Sequence, residues 1–116
     1  MYGDDDERLP THVTVSAVIR RAATDGGAAY VLHKGDAERG MVLVKLIGRD
    51  RSCRLQLQQR DLDGRLQWMS AFRDELVPEA EADAYIARNH ARDPDVWAVE
   101  VEVIAAASPN PFTLQD

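Results

Sequence analysis

At 116 residues, with 45% hydrophobic and 29% charged side chains, the chain has the make-up of one soluble globular domain that can bury a core without staples. Its net charge of −6 argues against a dedicated duplex-DNA binder, whose affinity rests on many phosphate contacts, although residues 20–65 hold ten Lys/Arg against six Asp/Glu and leave room for a local basic face. Cys53 is the one cysteine, so no internal disulfide forms and a reducing cytoplasm is expected; no apolar run approaches the roughly 20 residues that span a bilayer, and the acidic opening lacks the basic start and apolar core of a signal peptide.

Residues 1–9 read as an acidic tail. Pro10-Thr11 offers a helix start with Thr11 as N-cap, and an alanine-rich stretch with Val15, Val18, Ile19, Ala22 and Ala23 on one stripe predicts a helix over 12–24. Alternation at Val13, Val15, Ala17 and Ile19 offers a strand instead; the unbroken run and the stop at Asp25-Gly26-Gly27 decide for helix. Residues 28–34 and 41–47 predict two strands. The second is apolar on both parities apart from Lys45, the mark of an inner strand covered on both sides or of one short of full exposure.

Cys53, Leu55 and Leu57 alternate with Arg54, Gln56 and Gln58 in a third strand. Asp63-Gly64 signals a hairpin, and Leu66 and Trp68 alternate with Arg65 and Gln67 in a fourth. These four strands predict an antiparallel meander. Residues 71–76 fit either a helical turn or a strand end. Pro78 suits the first turn of a second helix, with Glu79, Glu81 and Asp83 early and Arg88, His90 and Arg92 late, the order that complements the helix macrodipole. Asp93 precedes Pro94 and ends it. Val96–Ile104 alternates, with Trp97, Val99, Val101 and Val103 against Ala98, Glu100 and Glu102, in a half-buried last strand. Residues 107–116 read as a tail, leaving 10–106 as the single domain. The predicted class is α+β, a two-layer sandwich: a mainly antiparallel sheet of about five strands with both helices on one face. That face is expected to hold Leu55, Leu57, Leu66, Trp68, Trp97 and Val99. The other would show Arg54, Gln56, Gln58, Arg65 and Gln67 to water or a partner.

Gly35 and Gly40 have the spacing of a phosphate-binding loop, but Met41 and Val42 stand where such a loop needs Lys and Ser/Thr, and a strand follows instead of a helix. A hairpin turn between the first two strands is the preferred reading, with Asp36 bonding nearby amides. His12, His33 and His90 sit on separate elements without a ligand set, so no metal is expected. Cys53 faces inward as a small hydrophobe, and Ser16, Ser52, Ser70 and Ser108 lack a nucleophile-elbow setting. Asp95 is expected to anchor a turn and Glu100 and Glu102 to face solvent. Arg20 and Arg21 end the first helix, from where one is expected to reach Asp93 or Asp95. The polar sheet face lacks the exposed aromatics that single-stranded nucleic acid would stack on.

Leu9-Pro10-Thr11, Arg20-Arg21, Lys34-Gly35-Asp36, Gly40, Leu43-Val44-Lys45, Trp68, Pro78-Glu79-Ala80, Tyr85-Ile86-Ala87-Arg88 and Asp93-Pro94-Asp95-Val96-Trp97 through Glu102 together resemble domain of unknown function 1491, a small bacterial family, over residues 9–103. Thr14 departs from the bulky aromatic usual there. The resemblance implies a single-domain bacterial cytosolic protein and brings no activity, cofactor or catalytic residue. No nucleophile, base and oxyanion donor can be assembled. The sequence therefore points to a non-enzymatic interaction or regulatory module with an unknown protein partner, or a homodimer through a sheet edge or the polar face. Two alternatives stay open: an RNA-associated accessory protein, and a small enzyme acting on an anionic metabolite. The candidate interaction or anion site is Arg20, Arg21, Lys34, Asp36, Lys45, Arg54, Asp93 and Asp95, with no cofactor, no DNA and no membrane.

Overall fold

A computed structural model describes residues 10–25, 27–60, 62–63, 66–103 and 106. The expected tails at 1–9 and 107–116 lie outside them, as do Gly64 and Arg65. In chain order the elements are α1 (Thr11–Thr24), β1 (Ala29–His33), β2 (Val42–Ile47), β3 (Ser52–Arg60), β4 (Leu66–Ser70), β5 (Val77–Pro78), α2 (Glu79–Arg92) and β6 (Trp97–Glu102). The class is α+β: two helices and a six-stranded mixed sheet, mostly antiparallel and open, in the order β1-β6-β2-β3-β4, with β5 paired to β3. The segment 71–76 is neither helix nor strand; it bends and feeds β5.

Two expectations about the sheet are corrected. β1 and β2 are not a hairpin. β6 lies between them, antiparallel to β1 and parallel to β2. The helices also do not share a face. Val15, Val18 and Ala22 of α1 cluster with Val42, Val44 and Leu46 of β2 and with Trp97, Val99 and Val101 of β6. Ile86 of α2 clusters instead with Leu43, Leu55, Val96 and Ala98, and Ala82 with Ile47 and Cys53. Successive strand residues point to opposite faces, so α1 covers one side of the sheet and α2 the other. The apolar residues on both parities of β2 have this cause: all six of its residues are buried.

The expected single apolar face divides the same way. Leu55 and Leu57 lie under α2, whereas Trp97, Val99 and the half-buried Trp68 pack on the α1 side. The side chain of Leu66 is outside the described set. In the β3–β4 register Gln58 stands opposite Trp68 and Gln59 opposite Gln67. Trp68 thus shares a face with Gln56 and Gln58, and Gln67 falls on the reverse. This is a one-residue difference from the expected pairing, and with period-2 alternation it flips every side chain of the strand. Among the described residues the expected polar face is not open, since Gln56 is buried and the Arg54 side chain is only 13% exposed.

Helix ends explain how α1 is seated. Thr11 is not an N-cap; Pro10 holds that position with no side-chain cap. The first-turn amides of Thr11 and His12 instead donate to the carbonyls of Glu38 and Ala37, and the Thr11 hydroxyl donates to Gly40 O at 2.8 Å. At the other end Gly27 N donates to Ala22 O, and a Cβ on Gly27 would stand 2.6 Å from Glu102 O.

Candidate functional site

Glycines 35 and 40 bracket a crossover, not a tight turn. The loop between β1 and β2 passes over the start of β6, and a Cβ on either glycine would lie 2.1 Å from the Asp95 carbonyl oxygen. Only a residue without a Cβ admits so close a backbone approach. The two segments interlock through three bonds: Asp36 N donates to Asp95 O, Trp97 N to Met41 O, and the Trp97 indole N–H to Asp36 O at 2.7 Å. The Asp36 carboxylate accepts from the amides of Glu38 and Arg39, and Gly40 N donates to Asp36 O. Four loop amides are therefore consumed internally, which leaves the loop an architectural brace.

The strongest electrostatic feature is Lys45, in the middle of β2 and only 2% exposed. A lysine there needs charged partners, because an unpaired buried ammonium is far too costly. α2 supplies two from one helix face four residues apart, Glu79 at 2.8 Å and Asp83 at 2.7 Å, and β6 supplies Glu100 at 3.1 Å. The three ammonium protons thus have three carboxylates. Burial pulls the Lys45 pKa down, but the bonds to Asp83, Glu79 and Glu100 outweigh it and hold the group well above the ordinary lysine range. Glu79 is lowered, first by Lys45 and further by Arg51, whose guanidinium lies 2.6 Å from its second oxygen. Arg51 is held in the left-handed region at φ 71°. A shallow open depression of about 410 Å³ runs between Asp50–Ser52 and Leu76–Glu79 beside this pair. Cys53 is fully buried next to the network; burial pushes its thiol up to about 11.

A second feature is the free rim of β1. This strand has β6 on one side and no other strand pairs with it among the described residues. Tyr30, Val31 and Leu32 are 50%, 44% and 39% exposed. The ladder with β6 shifts by one residue between Val31 and His33, a bulge at Leu32. At the end of the strand His33 stacks on His90 of α2, ring centroids 4.0 Å apart and planes within 8°. Among the described residues no three His, Cys, Asp or Glu side chains are grouped to hold a metal, and no helix is long and apolar enough to cross a membrane.

The eight residues singled out from the sequence do not converge. Arg20 and Arg21 are exposed at the C-terminal end of α1, where Arg21 pairs with Asp25 at 3.7 Å. Asp36 and Asp95 lie against the other end of that helix, about 13 Å away at 1.5 Å rise per residue, so the expected reach from Arg20 or Arg21 to Asp93 or Asp95 is not made. Lys34, Asp36, Asp93 and Asp95 gather around the crossover. There Asp93, not Asp95, anchors the turn by accepting from Asp95 N. Lys45 sits inside the carboxylate network. Arg54, with a side chain 13% exposed, meets Glu75 at 3.7 Å and the Ala106 carbonyl at 3.4 Å. Glu102 is exposed as expected, but Glu100 is not solvated; it completes the shell of Lys45. Sequence reasoning missed Glu79, Asp83 and Glu100 as partners of Lys45, although a lysine inside an apolar strand opposite a Glu-x-x-x-Asp helix face is a readable signal. It also missed the His33–His90 stack and the β1 rim.

Several solved structures resemble this arrangement. A crystal structure of a DUF1491 family protein from Caulobacter crescentus CB15 is 40% identical with a TM-score of 0.78, over 84% of this chain and 91% of that one. An NMR structure of a DUF1491 family protein from the same organism is 38% identical with a TM-score of 0.77, over 93% and 94%. The solution structure of protein Atu0922 from A. tumefaciens is 26% identical with a TM-score of 0.72, over 90% and 98%. No functionally curated protein is significantly similar to the chain. The profile of the DUF1491 family, described as a protein of unknown function, matches residues 9–110, and the chain belongs to that family.

Proposed function

We propose that this protein is a non-enzymatic interaction module of the bacterial cytoplasm that engages another polypeptide by strand addition at the outer edge of β1. One observation carries the reading: three consecutive large apolar side chains, Tyr30, Val31 and Leu32, are exposed on a strand whose outer backbone rim has no partner among the described residues. Soluble proteins protect such edges with lysine, proline or inward charges, and β1 has none of these within Ala29–His33. Its one protective device is the bulge at Leu32. An added strand would gain main-chain hydrogen bonds from the rim and side-chain contacts from both faces. The alternatives have less support. Of the cations an RNA surface would use, Lys45 is buried among carboxylates and Arg54 is largely covered. The depression beside Arg51 is lined by neither Lys34 nor Asp36, the residues an anionic metabolite would need.

The test is site-specific photo-crosslinking in cells, with p-benzoylphenylalanine in place of Tyr30 and, as control, in place of the exposed Ala87 on α2. Discrete adducts from position 30 and not from position 87 are expected. Equal or absent capture at the two positions would sink the reading.

A further inference from the structure

The occupant of the β1 edge can be argued from charge and symmetry. Between Asp25 and Lys34 the chain carries no Lys, Arg, Asp or Glu. A strand that pairs antiparallel with a copy of itself sets its own residues against one another about a two-fold axis, and like charges directly opposite are destabilising. β1 meets that condition throughout. The first charges beyond it have opposite sign, Asp25 before the strand and Lys34 after it. Antiparallel self-pairing turns Lys34 of each copy toward the Asp25 end of the other, opposite Ala28 when the axis passes through Val31; parallel pairing would set Lys34 beside Lys34. Arg21 already sits 3.7 Å from Asp25, so the flank term steers orientation more than it adds affinity.

Resting on the strand-addition reading, we infer that the polypeptide received by β1 is a second copy of this chain, joined antiparallel to form one continuous sheet across a two-fold axis. Such an interface is isologous, the commonest arrangement of homo-oligomers. Centred on Val31, it sets Tyr30 of each copy against Leu32 of the other. Five strand residues a side make a small contact, under the roughly 1,200 Å² of a standard interface, so the association is reversible and concentration-dependent.

Sedimentation equilibrium of the full chain across a wide concentration range reads this directly. A monomer–dimer equilibrium is expected, with Leu32→Lys and, independently, Tyr30→Lys weakening it by about tenfold or more while leaving the circular dichroism and thermal midpoint near wild type. Val31→Cys, close to the axis, should give a disulfide-linked dimer under mild oxidation, whereas Ala87→Cys should not. A dimer indifferent to both lysine substitutions and not trapped through position 31 would overturn the proposal. So would a monomer at every concentration. In that second case, adducts at position 30 of a mass other than twice the chain would leave strand addition standing with a different partner, and the absence of adducts would remove both.

Discussion

Replacing Lys45 by Met tests the charge network most sharply, because Met keeps most of the unbranched stem and removes only the ammonium. Three carboxylates then face one another. Glu79 retains Arg51, and Asp83, 53% exposed, can rehydrate. Glu100, 19% exposed, loses its cation and has little access to water. Breaking a buried pair from one side costs about 3–5 kcal/mol. The partial exposure of Glu79 and Asp83 places this case at the lower end, about 3 kcal/mol. At a urea m-value of about 2 kcal/mol/M the midpoint falls by about 1.5 M. The pH dependence has a definite sign. The lowered Glu79 pKa contributes stability that is present above about pH 4.5 and lost as pH falls through its folded value. The raised Lys45 pKa contributes stability that is present below about 10.5 and lost only as pH rises through its still higher folded value. The difference between wild type and variant should therefore be flat from pH 6 to 9 and narrow below pH 4.5, as the wild type loses the contribution of ionised Glu79. Urea unfolding by tryptophan fluorescence at pH 7 and pH 3.5 measures it. A difference below about 0.5 kcal/mol at pH 7, the range of an ordinary surface substitution, or one unchanged at pH 3.5, would refute the argument.

Other substitutions probe the frame around that network. Gly40→Ala places a methyl against the Asp95 carbonyl and should cost about 1–3 kcal/mol or more by overpacking, read as a lowered thermal midpoint; an unchanged midpoint would mean the crossover is looser than described. Thr11→Val removes the hydroxyl bond to Gly40 O and should cost about 1 kcal/mol in chemical denaturation. With burial pushing its thiol to about 11, Cys53 should react with a disulfide reagent at pH 8 only as fast as the protein opens, and in one rapid step in urea. Prompt stoichiometric labelling of the folded chain would contradict its burial.

Local periodicity carried much of the fold. The stripe at Val15, Val18 and Ala22 and the graded charges along Glu79–Arg92 are one-dimensional patterns, and both helices lie where those patterns put them. Pairing order was harder to read, because consecutive strands are usually neighbours and β1 and β2 are not. The sign that a later strand intervenes was present in β2, whose both-sided apolarity requires a layer on each face. A sheet with two covered faces needs its helices divided between them, and that division carries α2 over Lys45.

The same insertion explains the Lys34-Gly35-Asp36 and Asp93-Pro94-Asp95-Val96-Trp97 stretches together. Neither is legible alone: the first resembles a turn and the second a helix stop. Once β6 runs between β1 and β2, the connecting loop must cross the point where β6 begins, and the crossing is tight enough that two positions exclude a Cβ. The Asp36 carbonyl then meets the Trp97 indole N–H, and the Asp95 carbonyl meets the Asp36 amide. Burying Trp97 requires a partner for that N–H, and the crossover supplies it. Fixing the loop also fixes the seat of α1, since Ala37, Glu38 and Gly40 accept from its first residues. Residues more than 80 positions apart in the chain thus form one brace at one end of the sheet. With β6 locked there on one side of β1, the other side of β1 has no strand partner among the described residues.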